Sequence, residues 1–170
     1  MTNDDHACDD EDGAFVTLDF LGDALDPATL LPVVPLAPNR SKRKGDPLGR
    51  PFNGRVPVAK TGYCSFSTGG MAGHGHGHGH GHGNGNGNDH VAFILRAIEP
   101  RIEDIRRVMA ASGLRWKLMF FEGDAPGNRF ADLEPELFAW AERLDLPLLR
   151  EPEHTVTFIY SADQSEPDHA

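Results

Sequence analysis

Nine apolar residues between positions 91 and 109 set the strongest constraint on how this chain folds. Val91, Phe93, Ile94, Leu95, Ile98, Ile102, Ile105, Val108 and Met109 recur at three- and four-residue steps within Asn88 to Ala111, the period of one broad helical face. Such a face has to be buried, so other elements must cover it. Asp89 is a good N-cap, because a short carboxylate can accept from the free amides of the first turn. Glu99-Pro100 interrupts the pattern: Pro100 has no amide to donate and disfavours helix at Glu99. A kink is expected there, with Pro100 at the first position of the second piece.

The covering elements read as strands and shorter helices. Over Ala14 to Leu21, Val16, Leu18 and Phe20 alternate with Thr17 and Asp19, the two-residue period of a strand. Asp26-Pro27 reads as an N-cap followed by proline at the first position of a short helix through Leu31, which Pro32 to Pro38 close. Residues 39–60, rich in glycine and proline, form a long loop that is either functional or partly stranded around Arg55 to Ala59. Gly62 to Thr68 is a strand with Cys64 and Phe66 on one side and Tyr63, Ser65 and Ser67 on the other. Gly113 is a C-cap, and Leu114, Trp116, Leu118 and Phe120 then alternate in a strand ending near Phe121. Glu134-Pro135 opens a helix with the stripe Leu137, Phe138, Ala141 and Leu144, and Thr155 to Tyr160 reads as a last strand. The expected fold is α+β: a mixed or mostly antiparallel sheet of four to five strands with two to three helices packed on it.

At 170 residues the chain suits one domain. An acidic tail over residues 1–13, a low-complexity segment over 69–88 and a second tail over 161–170 are expected to be disordered, which leaves a domain spanning 14–160 with enough residues for a core. No apolar run reaches membrane length, and the start of the chain is acidic instead of basic followed by apolar, so no membrane association and a cytoplasmic location are expected. Cys8 and Cys64 lack zinc-site spacing and read as reduced thiols. Between residues 40 and 60, Arg40, Lys42, Arg43, Lys44, Arg50, Arg55 and Lys60 meet only Asp46, in a chain of net charge −10. The overall charge repels nucleic acid, and the basic run reads as a solvated loop that can touch an acidic partner.

The overt chemistry is histidine. His74, His76, His78, His80 and His82 alternate with glycine, so in an extended chain the rings lie on one side about 7 Å apart. Glycine lets the backbone fold so that several imidazoles converge on one ion. They are mostly neutral at pH 7, and the intrinsic order favours copper(II), then nickel and zinc. His90, on the first turn of the long helix, completes this candidate ligand set. The same tract also reads as an expanded low-complexity repeat, because Gly-His passes into Gly-Asn at an unchanged period. No cofactor is required by either reading.

Enzyme constellations are missing: there is no G-x-S-x-G, H-E-x-x-H, P-loop or C-x-x-C. Asp19, Glu122 and Asp124 are the carboxylates nearest to a catalytic pattern and read as solvated acids at strand ends. Trp116 and Trp140 read as packing residues.

Several short motifs, taken in order, resemble the DUF4279 family of uncharacterised bacterial proteins. They are Gly22-Asp23 and Asp26-Pro27 after the first strand, Lys44-Gly45, Thr61 to Ser67, Asp89-His90-Val91, Ile98-Glu99-Pro100 and Phe158-Ile159-Tyr160. The likeness covers nearly all of residues 14–160. Tyr63 stands where the family usually has tryptophan, and the Gly-His tract occupies what is normally a short connection. The resemblance implies a fold without an assigned activity, and a role in binding a protein partner, since some relatives of this kind are thought to be immunity proteins of toxin systems. The reading is a non-enzymatic partner-binding domain, with nickel, copper or zinc sequestration through the tract as the alternative.

Overall fold

The computed structural model describes residues 13–50, 54–69 and 86–150. Its frame is a five-stranded sheet ordered β2-β3-β1-β4-β5, formed by β1 (Phe15–Gly22), β2 (Arg40–Lys42), β3 (Gly62–Ser67), β4 (Arg115–Phe121) and β5 (Leu148–Arg150). Neighbours are antiparallel except β4 and β5, which run parallel. A parallel pair needs a crossover, and here the connection carries a helix, α4 (Pro135–Arg143). The α+β fold and mixed, mostly antiparallel sheet match the sequence reading.

One sheet face makes the core. Val16, Leu18, Phe20, Cys64, Phe66, Leu118 and Phe120 are essentially inaccessible, and they meet Val91, Ile94, Leu95 and Ile98 of α2 (Gly87–Ile98), Ile105 of α3 (Ile102–Ser112), Leu137 and Ala141 of α4, and Leu30 of α1 (Pro27–Leu30). Burying each of the valine, leucine, isoleucine and phenylalanine side chains among them contributes roughly 1.5–3 kcal/mol. Phe93, at the margin of the apolar stripe, is 42% exposed.

The expected break at Pro100 is a single turn of 3₁₀ helix, Glu99–Arg101, set between α2 and α3. Gly113 ends α3 in the left-handed region, at φ 59°, as a C-cap should. The start of α2 corrects the sequence reading. Asn86, not Asp89, is the N-cap: its side chain accepts from the Asp89 amide, and the Asp89 carboxylate accepts from the Asn86 amide. The reciprocal pair fixes two free donors where a lone Asp89 cap would fix one. Asn86, Gly87 and Asn88 at the end of the repeat are therefore folded structure: Gly87 donates to Gly127 O and to Asn128 Oδ1, each at 3.1 Å, and Asn88 Oδ1 accepts from the Glu134 amide.

One strand falls elsewhere than expected, and one was not expected. Within residues 39–60 the strand is Arg40–Lys42, in the basic run itself, whereas the Arg55 to Ala59 stretch makes only isolated bridges, among them Pro47 to Val58. At the other edge β5 is Leu148–Arg150, directly after Pro147; the strand expected at Thr155 to Tyr160 lies outside the described residues. No helix among the described residues is long and apolar enough to cross a membrane.

Candidate partner-binding face

Residues directly opposite each other on paired strands point to the same side of a sheet. Pairing therefore defines the second face. Arg40, Ser65, Asp19 and Lys117 form one row across β2, β3, β1 and β4, and Lys42, Tyr63, Leu21 and Arg115 form the next. Towards the other end of the sheet follow Ser67, Thr17, Met119 and Leu149, then Phe15 and Phe121. The buried side chains of all four α-helices belong to the opposite face. Among the described residues this second face carries no helix, and most of its side chains are half-buried to exposed.

The face is divided. At one end Phe15 and Phe121 stack with ring centroids 4.2 Å apart and 9° between planes. At the other end four cations, Arg40, Lys42, Arg115 and Lys117, flank Tyr63 and Leu21. None of the four makes an ion pair among the described residues. Strand spacing places the β2 pair roughly 14 Å from the β4 pair, with about 7 Å between the two rows.

Asp19 is the carboxylate at the centre of this face, and its two oxygens are engaged: Ser65 Oγ donates to Oδ1 at 2.6 Å and Thr17 Oγ1 to Oδ2 at 3.2 Å. That arrangement fixes the orientation of the carboxylate and of both hydroxyls. The neighbouring cations of the basic run are neutralised differently. Arg43 pairs with Asp26 at 2.7 Å and Lys44 with Asp23, and these contacts hold both carboxyls below their ordinary range. Arg43 and Lys44 are thus satisfied, whereas Arg40 and Lys42 have no ion-pair partner among the described residues.

In the sequence this basic run reads as loop, and Arg115 and Lys117 read as strand residues without a role. The available signal was periodic: Arg40-Ser41-Lys42 and Arg115-Trp116-Lys117 both place cations two residues apart, on one side of a strand. Only pairing through β3 and β1 brings the two sets onto one surface.

The remaining candidates are not gathered with them. Glu122 accepts from the Phe130 amide and from Arg150, both at 2.7 Å, and so ties the loop after β4 to the edge strand. Asp124 is exposed on that loop. A groove of about 260 Å³ beside β5, lined by Phe138, Ala141, Glu142, Asp145, Leu146, Pro147 and Leu148, offers two carboxylates with no cation, hydroxyl or thiol to work with them. Trp116 donates to Asp145 O at 2.8 Å and is a packing residue, as its alternation implied.

Of the histidine ligand set, His74, His76, His78, His80 and His82 lie outside the described residues. His90 is half-buried on α2, and no group of three His, Cys, Asp or Glu among the described residues is placed to hold a metal ion. Compared with protein-family models, with curated proteins and with solved structures, the chain matches none. The likeness to DUF4279 rests on its sequence motifs alone.

Proposed function

We propose that this domain acts without catalysis, by binding a protein partner across the helix-free face of its sheet, in the manner of an immunity protein. The observation that supports this reading is the set of four cations around Tyr63 and Leu21 that have no ion-pair partner among the described residues, in a chain of net charge −10. A local positive surface on an acidic molecule selects an acidic patch on a partner while the global field disfavours nucleic acid. Tyr63 and Leu21 supply the apolar centre that charged rims need for tight association.

The reading is tested by affinity capture from the native cell lysate with wild-type protein beside the charge-reversed pair Lys42→Glu and Arg115→Glu. Both side chains lie off the core, so the variant should keep its melting temperature. A stoichiometric protein held by the wild type and lost by the variant is the expected result. Equal capture by both would move the binding surface elsewhere.

A second reading, metal sequestration, is supported by the five alternating histidines and by where their flanks sit. Thr68 bonds to Val16 of β1, and Gly87 packs on Phe120 of β4, the residue paired with Val16. The two described ends that flank the tract are thus held on neighbouring strands, β1 and β4.

A further inference from the structure

We infer that the basic half of the helix-free face is a docking site for the acidic segment at residues 1–12 of this same chain. The inference rests on the reading of that face as a binding surface and names an occupant that competes for it.

Residues 1–12 lie outside the described residues and contain Asp4, Asp5, Asp9, Asp10, Glu11 and Asp12, with no lysine or arginine. The acids fall in two clusters separated by His6-Ala7-Cys8. Five residues from Asp4 to Asp9 span about 17 Å when extended. That matches the roughly 14 Å between the Arg40-Lys42 pair on β2 and the Arg115-Lys117 pair on β4.

The point of departure fits as well. The described chain begins at Gly13 and enters β1 at Phe15, at the apolar end of this face. Asp19 and Leu21, opposite Lys117 and Arg115, lie four and six residues further along β1, roughly 13–20 Å away. Asp9 and Asp10 precede Phe15 by six and five residues, so a chain doubling back over the face reaches the β4 cations. Asp4 and Asp5 then cross to the β2 cations over Leu21 and Tyr63. The tether is short, which gives an effective local concentration in the millimolar range and makes weak ionic contacts sufficient for occupancy.

The experiment uses the full chain and a variant lacking residues 1–12, with a synthetic peptide of residues 1–13 as probe. Amide NMR spectra of the two proteins are expected to differ at Tyr63, Ser65, Leu21 and Lys117. The probe should bind the shortened protein on the order of tenfold more tightly than the full chain. Binding should weaken as salt is raised through 0.1 M, where the Debye length falls to about 10 Å. The Lys42→Glu, Arg115→Glu pair should abolish it. Spectra that coincide at these residues, or a probe bound equally by both proteins, would overturn the inference. If the segment fails to dock while a captured partner still depends on Lys42 and Arg115, the inference falls and the proposed function stands. If the charge reversal changes neither, both fall.

Discussion

Val16 and Phe120 sit opposite each other on β1 and β4, and each anchors one flank of the Gly-His tract. The Val16 amide donates to Thr68 Oγ1 at 2.9 Å, and its carbonyl accepts from the Thr68 amide at 3.0 Å. On the Phe120 side, a Cβ at Gly87 would lie 2.6 Å from the ring. The flanks are held independently of whatever joins them. Replacing residues 70–85 by a four-residue Gly-Ser link should therefore raise stability slightly, by about 1 kcal/mol from the shorter loop closure. Gly87→Ala should lower it by about 1–3 kcal/mol through the clash with Phe120, despite alanine's better helix propensity. Urea denaturation of the two variants checks the contrast, and an unfolded shortened protein would show that the tract itself is structural.

Asp145 is held at φ 52° just after α4, where its amide bonds to Glu142 O and the Leu146 amide to Ala141 O. This pair of bonds is a Schellman C-cap, a position that glycine occupies without steric cost. Asp145→Gly should stabilise the domain by about 0.5–1 kcal/mol, less the extra chain entropy that glycine brings. The carbonyl that accepts from Trp116 is retained. A lower melting temperature would mean that the Asp145 side chain supports the turn in another way.

Cys64 is buried under the helices, and burial, with Asp19 nearby, pushes its thiol up from 9.0 to about 11. An acid whose pKa is raised on folding stabilises the native state below its unfolded value. That contribution is lost as pH rises from about 9 towards 11. In a Cys8→Ser background, Cys64 should resist a disulfide reagent at pH 8 until the protein unfolds, and Cys64→Ala should flatten the stability loss between pH 9 and 11. Rapid labelling of the native protein would place the thiol at an opening in the core.

The tract's histidines should chelate copper(II) more tightly than nickel or zinc, and binding should weaken below about pH 6 as the rings protonate. Because the unfolded chain keeps the same ligands, bound metal should leave the melting temperature unchanged. Calorimetric titration of the wild type against a variant with His74, His76, His78, His80 and His82 changed to Asn measures the tract's share. Equal binding by the two, or a metal-dependent rise in melting temperature, would count against chelation by the tract.

By itself the sequence determined the elements whose side chains meet at short range. The three- and four-residue steps from Val91 to Met109, the proline at 100, the caps at Asp26 and Gly113 and the alternation in β1, β3 and β4 are local patterns with local causes, and each falls where those causes put it. Tertiary structure decided what such patterns leave open. Arg40–Lys42 is too short and too polar to announce a strand, and it becomes one because β3 offers it an edge to pair with. Leu148–Arg150 is likewise a strand only because the α4 crossover lays it beside β4. Asn86 displaced Asp89 as the cap because Gly127 and Asn128, some forty residues on, hold the amide of Gly87. The candidate face was the least legible part, since its four cations come from two segments about seventy residues apart and become neighbours only through the register of the strands between them. Side-chain period sets which residues share a strand's face, but strand order sets which faces meet, and that order depends on burial across the whole core.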